Sequence, residues 1–293
     1  MPQRPRSGAS DECPAKQVVA WAAGTDNVRA VILTSSRTNP ELPVDFLSDY
    51  DIELFVRGLQ PFLASDVWLE RFGSILVRWP HEPVDYGDAT TRLVLYEDAP
   101  RIDFQIKMIS VLSGYVSELP DFYDIGYEVL LDKDGAARGL PPPTYTAFHT
   151  RPPTEKEYTE LTRHFWWNIT YVAKYLYRDE LFFAKYMLDD AVHHEYLATA
   201  LAWFVGMNND WRVNPGAQGR WFKRYLAPET WSDVEATFAG AGLQENWEAM
   251  FRATAVFRRL TAAVGAHLGY EYPADLDRRV TAYLEKIRQL AGS

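Results

Sequence analysis

The sequence predicts an α+β protein: an N-terminal mixed β-sheet with flanking helices, followed by an all-α domain. Runs of β-branched and apolar residues in the first half, such as Val28–Thr34, predict strands. In the second half, apolar residues recur at helical spacing instead. Proline-rich segments, beginning with Leu140–Pro143, separate the two patterns. We therefore expect one domain over residues 1–145 and a helical domain over 146–293.

The first half is predicted to alternate between helices and strands. Ser10, Asp11 and Glu12 cap a helix over Ala15–Ala23, which Gly24 ends. In the strand Tyr50–Arg57, Asp51 and Glu53 alternate with apolar residues, which predicts one solvated face. Residues 35–48 are expected to form a loop. The other elements expected here are a helix over Phe62–Phe72 and strands over Ile75–Trp79, Arg92–Tyr96 and Arg101–Met108, the last two forming a hairpin.

Helices account for the second half. Thr154 and Glu157 match a capping box, which predicts a helix that continues to about Arg178. The adjacent residues His193 and His194 point to different faces of a helix and have no third ligand nearby, so we interpret them as surface residues. Further helices are expected over Leu181–Met207, Trp221–Tyr225, Trp231–Phe238, Asn246–Leu268 and Leu276–Leu290.

Composition excludes several classes of function. The chain has 293 residues, of which 47% are hydrophobic, so wholesale disorder is excluded. Cys13 is the only cysteine, which excludes an intrachain disulfide and a cysteine-based zinc site. The formal net charge of −10 argues against nucleic acids and anionic membranes as partners. No signal peptide or long apolar run is visible, so we expect a cytoplasmic protein.

Three carboxylates and a serine turn form the one pattern that suggests chemistry. The predicted strand Val28–Thr34 leads into the turn that contains Ser36, and Asp49 and Asp51 follow thirteen and fifteen residues after Ser36. Alternate residues of a strand share a face, so these two carboxylates lie about 6–7 Å apart along the strand. Asp103, from a later strand, would complete an oxygen-rich cage of the kind Mg²⁺ prefers. A bare pair of this kind is common by chance, and the alternative is that the two aspartates only solvate an edge strand.

Two longer segments resemble one protein family. The stretch ILTSSRTNPELPVDFLSDYDIELFV, residues 32–56, resembles the signature of the nucleotidyltransferase superfamily. The stretch FWWNITYVAKYLYRDELFFA, residues 165–184, narrows the resemblance to the aminoglycoside 6-adenylyltransferases, also called streptomycin adenylyltransferases. The similarity extends over about residues 16 to 288. It implies a nucleotidyltransferase domain followed by a helical domain, with the substrate cleft between them.

The resemblance also implies a reaction and its metal site. Such enzymes transfer AMP from Mg-ATP to the 6-hydroxyl of streptomycin and release pyrophosphate. Asp49 and Asp51 match the metal-binding pair, and Asp103 matches the third carboxylate, which can also take the proton of the attacking hydroxyl. We therefore expect two Mg²⁺ ions, ATP as co-substrate and a cationic aminoglycoside as acceptor.

Candidate residues for binding the nucleotide and the acceptor lie in less specific motifs. Ser36 and Arg37 match the phosphate turn, and Lys174 matches a helix position that offers a counter-charge to the triphosphate. Arg220 and Lys223 lie where relatives carry basic residues and are expected to act similarly. Acidic residues are candidates to bind the guanidinium groups of streptomycin, the acceptor that the resemblance implies. These candidates are Glu97 with its neighbour Asp98, Asp179 and Glu180.

One departure from the family keeps alternatives open. The superfamily usually has Gly-Ser in the phosphate turn, whereas this sequence has Ser35-Ser36. Glycine adopts a positive φ freely, and serine does so only at a cost of roughly 1 kcal/mol or more. The alternatives are therefore a homologue that binds nucleotide without catalysis, or a transferase acting on a protein, a tRNA or another small molecule. We expect a monomer that binds neither nucleic acid nor membranes.

Overall fold

The computed structural model describes residues 13–98 and 100–291. Within them the chain forms two compact units, divided between Ala147 and Phe148. The first unit contains a six-stranded mixed sheet, and the second is helical. No helix among the described residues is long and apolar enough to cross a membrane. The predicted cap Ser10–Glu12 lies outside the described residues.

The sheet has the strand order β3-β4-β5-β2-β1-β6. Strand β2 is central: it pairs antiparallel with β1 and parallel with β5. The antiparallel pair β4–β5 confirms the predicted hairpin. The strand bounds are β1 Val28–Thr34, β2 Tyr50–Val56, β3 Ile75–Trp79, β4 Ala89–Tyr96, β5 Ile102–Met108 and β6 Tyr127–Asp132.

Helices cover both faces of this sheet. One face packs against α1, α2 and a 3-10 segment over Val67–Phe72, through an apolar cluster that includes Val18, Phe62 and Phe104. The other face packs against α3 and α4 through Leu112 and Tyr123. The helix bounds in the first unit are α1 Pro14–Gly24, α2 Gln60–Ala64, α3 Ile109–Ser117 and α4 Asp121–Asp124.

The structure corrects two predictions for the first unit. The strand predicted over Tyr50–Arg57 spans Tyr50–Val56, and the expected solvated face is wrong, because Glu53 is only 3% exposed and accepts from Tyr123 of α4. Alternation of charged and apolar residues therefore marks a polar row under helices rather than a surface. The single helix predicted over Phe62–Phe72 is instead α2 followed, after a break, by the 3-10 segment.

The second unit is helical, as the sequence predicts. Thr154 and Glu157 form the predicted capping box at the start of α5. The helix continuing from α6 into α7 contains a π-helical segment, Tyr186–Leu197. The helix bounds are α5 Glu155–Tyr177, α6 Leu181–Lys185, α7 Ala198–Met207, α8 Phe222–Tyr225, α9 Pro228–Glu235, α10 Leu243–Leu268 and α11 Ala274–Ala291.

His193 corrects the interpretation of the histidine pair. The sequence suggests a surface residue, but His193 is 4% exposed. Its Nε2 lies 2.8 Å from Thr237 Oγ1, and its ring stacks on Phe238. The π-helical geometry shifts the residues of this segment around the axis relative to a regular α-helix, which the helical spacing did not anticipate. His194 is exposed, as predicted.

Candidate active site

The register of two parallel strands brings the predicted carboxylates together. Asp51 on β2 pairs directly with Asp103 on β5, so both side chains project from the same face of the sheet. Asp49 lies one residue before β2, and its carbonyl is fixed by Arg37. The side chains of Asp49 and Asp103 are 39% and 13% exposed, so the cluster reaches from solvent into the protein.

Burial, together with neighbouring negative charges, raises the pKa of Asp51 to about 6. Burial contributes most, and the negative charges of Asp103 and Asp49 add to it, whereas the Ser35 hydroxyl lowers it. The pKa of Asp103 is also raised, first by burial, although Arg101 opposes the shift. Repulsion from neighbouring carboxylates thus contributes to both shifts, and positive charge opposes it.

Arg101 supplies that positive charge. Its Nε and Nη2 donate to the two carboxylate oxygens of Asp103 at 2.6 and 2.7 Å. Its Nη1 lies 4.0 Å from Asp49 Oδ2. Arg101 is not among the site residues predicted from the sequence. Its position could have indicated its role, because Arg101 is two residues from Asp103 and alternate residues of an extended chain share a face.

The turn after β1 lies beside Asp51. Ser35–Thr38 form a 3-10 turn, and Ser35 has a φ of 71°, in the region that favours glycine. The Ser35 N–H donates to Gly126 O at 3.0 Å, and the Thr38 hydroxyl donates to Ser35 O at 2.9 Å. A Cβ at Gly126, which has a φ of 142°, would meet Thr38 Oγ1 at 2.8 Å. The turn is therefore held in place on two sides.

Arg37 is held against the protein backbone. Its Nε and Nη2 donate to the carbonyl oxygens of Asp49 and Ser48 at 2.9 and 2.6 Å. Its guanidinium also lies 3.7 Å from the centre of the Tyr50 ring. In this arrangement Arg37 positions the segment that carries Asp49, whereas the resemblance implies a phosphate-turn residue.

An acidic cavity adjoins the carboxylates. It has a volume of about 710 Å³ and includes Asp49, Glu97, Asp98 and Arg101 in its lining. Glu97 and Asp98, in the loop between β4 and β5, are thus brought to the same cavity as Asp49. A smaller cavity of about 360 Å³, lined by Ser35 and Asp51 among others, lies over the same face of the sheet.

The remaining candidates lie in the helical unit and have separate surroundings. Lys174 is half-buried and lies over the rings of Tyr171 and Tyr175, at 5.6 and 5.3 Å from their centres. Lys223 pairs with Glu235 at 3.7 Å. Three further candidates are exposed: Arg220, Asp179 and Glu180.

Comparison with known proteins decides the family. The sequence matches the profile of the streptomycin adenylyltransferase family over residues 10–287. The chain belongs to this family. It is 32% identical to the aminoglycoside 6-adenylyltransferase of Bacillus subtilis (strain 168) over 272 residues, 91% of this chain and 94% of the relative. It is 29% identical to the Campylobacter jejuni aminoglycoside 6-adenylyltransferase over 279 residues, 94% of each chain.

Among solved structures, the chain is similar to an aminoglycoside 6-adenyltransferase from Bacillus subtilis. The sequence identity is 27%, the TM-score is 0.46, and the alignment covers 94% of this chain and 99% of that one. The family predicted from residues 32–56 and 165–184 is confirmed. A member of the streptomycin adenylyltransferase family is an adenylyltransferase, and the family implies ATP and a divalent metal.

The three carboxylates offer the ligand atoms that such a metal prefers, but their side chains are not arranged around a common centre. Asp49, Asp51 and Asp103 offer only oxygen atoms, the ligands that Mg²⁺ prefers. Burial first, and then neighbouring carboxylates, raise the pKa values of Asp51 and Asp103, and a bound cation would oppose these shifts. Yet in the described part of the chain no three acidic, histidine or cysteine side chains are gathered closely enough to hold a metal ion. In this arrangement both carboxylate oxygens of Asp103 accept from Arg101.

Proposed function

We propose that the protein transfers AMP from Mg-ATP to the 6-hydroxyl of streptomycin or a related aminoglycoside, with release of pyrophosphate. The observation that carries the proposal is the pairing of Asp51 with Asp103 across parallel strands, beside the Ser35–Thr38 turn. It occurs in a member of the streptomycin adenylyltransferase family. Two aminoglycoside 6-adenylyltransferases that cover most of the chain support the choice of acceptor.

The three aspartates would hold the metal. Asp49, Asp51 and Asp103 are the proposed ligands of two Mg²⁺ ions. When bound, the ions neutralise charge on the triphosphate and lower the pKa of the acceptor hydroxyl. Asp103 must first give up its ion pair with Arg101, because both of its oxygens accept from the guanidinium.

Groups of the protein itself then accept one proton and bind the leaving group. Asp103 accepts the proton of the acceptor hydroxyl, whose oxygen forms a bond to the α-phosphorus. The bond from the α-phosphorus to the bridging oxygen of pyrophosphate breaks in the same in-line displacement. We assign Ser36 and the backbone N–H groups of its turn to the phosphates of the leaving group. Arg37 keeps Asp49 in place through the two backbone carbonyls.

The other predicted site residues have supporting roles in this proposal. We assign Lys174, Arg220 and Lys223 to the nucleotide as positive charges. Glu97, Asp179 and Glu180 are proposed to bind cationic groups of the acceptor. The location of Glu97 in the cavity lined by Asp49 supports its assignment most directly.

The organisation and setting are part of the same proposal. We take residues 1–145 as the nucleotidyltransferase domain and 146–293 as the helical domain. The protein is proposed to work as a cytoplasmic monomer, where ATP is supplied. The net charge of −10 suits a cationic acceptor and opposes binding to nucleic acid.

The test is pyrophosphate release with Mg-ATP and one acceptor at a time: streptomycin, spectinomycin, kanamycin or none. Release with streptomycin alone is expected. Asp51→Asn should abolish it, while Asp88→Asn, which removes an exposed charge of the same unit, should not. Silence with every acceptor from protein that still binds Mg-ATP would overturn the choice of acceptor. Silence without ATP binding would favour a lapsed homologue, for which the strained Ser35 is the supporting observation.

A further inference from the structure

The cation that neutralises the carboxylates in this structure belongs to the protein itself. Arg101 donates two hydrogen bonds to Asp103 and approaches Asp49. A two-point hydrogen bond between a guanidinium and a carboxylate is among the stronger polar contacts in proteins. It is made here by a side chain that is 41% exposed, on an acid that is 13% exposed. Arg101 is therefore free to leave, whereas Asp103 is not.

We infer that Arg101 and a divalent metal ion compete for Asp103, so that Arg101 sets the metal affinity of the free enzyme. The inference rests on the proposed function, since it takes Asp103 as a metal ligand. Both oxygens of Asp103 accept from Arg101, so a metal ion cannot take this ligand until the guanidinium moves. Arg101 thus acts through Asp103 and is a positioning residue.

The surroundings of Arg101 allow such an exchange. Arg101 lines the cavity of about 710 Å³ together with Glu97 and Asp98, which are exposed carboxylates near the end of β4. A guanidinium that leaves Asp103 therefore remains in an acidic environment. The backbone of Arg101 stays in place during the exchange, because its carbonyl accepts from the Tyr50 N–H at 2.9 Å. Only the side chain needs to move.

The other two carboxylates favour the exchange of Arg101 for a metal ion. Asp51 has no arginine or lysine among its hydrogen-bond partners in the described residues, and it is crowded by Asp103 and Asp49. A metal ion with two charges neutralises this cluster better than one guanidinium does. Arg101 opposes part of this negative charge when no ion is bound. The metal affinity of the free protein is thereby lowered, and it is not abolished.

The experiment measures binding of Mn²⁺ alone to nucleotide-free protein by electron paramagnetic resonance. Arg101→Gln should bind Mn²⁺ about tenfold more tightly than wild type, because the two-point contact that competes for Asp103 is lost. Arg101→Lys keeps the charge and loses the two-point contact, so it should fall between the two. Arg57→Gln is the matched control, because Arg57 is an exposed arginine beyond the far end of β2, and it should not change the affinity.

A double-variant cycle identifies the ligand. In the Asp103→Asn background, Arg101→Gln should give no gain in Mn²⁺ affinity, since the ligand released in the single variant is absent. Equal Mn²⁺ affinity of wild type and Arg101→Gln would overturn the competition and leave the proposed function standing. A gain that persists without Asp103 would also overturn it. Absence of Mn²⁺ binding in every variant would overturn both this inference and the metal site, whereas pyrophosphate release tests the transferase activity separately.

Discussion

Two acids on one strand face the same way and have opposite surroundings. Glu53 accepts from Lys107 Nζ at 2.6 Å and from the Tyr123 hydroxyl at 2.7 Å, and it is almost fully buried. Asp51, two residues earlier, has Asp103 and Asp49 as neighbours that raise its pKa, and it has no charged hydrogen-bond partner in the described residues, although Arg101 lowers its pKa from a distance. The sheet therefore holds one acid in a direct ion pair and one without such a pair. The first stabilises the fold, and the second is available for chemistry.

The largest expected contrast is in activity. Asp51→Asn should lower the rate of AMP transfer about a thousandfold, because a catalytic metal ion supplies several kcal/mol to the transition state and each 1.36 kcal/mol is tenfold in rate. Glu53→Gln keeps the size of the side chain and should lower the rate far less. Initial rates of pyrophosphate release with both variants measure the contrast. Equal losses in two folded variants would remove the distinction between the acids.

Glu53, which should matter little for activity, is expected to matter much for the unfolding free energy. Glu53→Ala leaves the ammonium group of Lys107 buried beside Tyr115 without its carboxylate, which should cost about 3–5 kcal/mol of unfolding free energy. Glu160→Ala breaks an exposed pair with Lys156 and should cost less than about 1 kcal/mol. Urea denaturation measures both. A loss at Glu53 as small as the loss at Glu160 would show that the buried pair contributes little.

Asp51 should also make stability depend on pH. Its folded pKa of about 6 exceeds the ordinary value of 3.8, so between these values the folded protein holds a proton that the unfolded chain releases. Raising the pH through this window therefore costs about 1–3 kcal/mol of unfolding free energy. Asp51→Asn removes this cost, so its stability relative to metal-free wild type should be greater at about pH 7.5 than at about pH 4. Asp88→Asn should show no such dependence, and the same behaviour in both variants would contradict the crowding of Asp51.

The smallest effect concerns the turn beside Asp51. Ser35→Gly should raise the unfolding free energy by about 1 kcal/mol, since it relieves a positive φ. Gln218→Gly is the matched control, because Gln218 has a φ of 55° in the helical unit. Both variants should gain stability, and only Ser35→Gly should change ATP affinity. Thermal denaturation and nucleotide titration measure the two effects, and a loss of stability in Ser35→Gly would show that its hydroxyl matters more than the strain.

The sequence predicts much of this fold because its signals are local. The run Val28–Thr34 and the capping box at Thr154 each identify an element without reference to the rest of the chain. Asp51 and Asp103 each lie in a predicted strand between apolar or aromatic residues, and this position identifies them as candidate ligands. The strand Tyr127–Asp132 was not predicted, because its half-exposed residues show no clear alternation and its pairing with β1 is remote in sequence.

What the sequence could not predict depends on contacts between distant elements. The second covered face of β2 required helices α3 and α4, which sequence analysis did not identify. The separate environments of Glu53 and Asp51 follow from Lys107 and Tyr123, residues remote along the chain. The role of Arg101 depends on a rotamer that brings its guanidinium back to Asp103. Position in a strand indicates the face of a side chain, and only the structure shows its partner.

The most direct test is the mass of the acceptor after incubation with Mg-ATP. Streptomycin treated with the wild-type protein should gain the mass of one AMP group, and NMR of the product should place that group on the 6-hydroxyl. Streptomycin treated with Asp51→Asn should be unchanged. Unmodified streptomycin after incubation with folded, ATP-binding wild type would contradict the account, as would modification that survives the loss of Asp51.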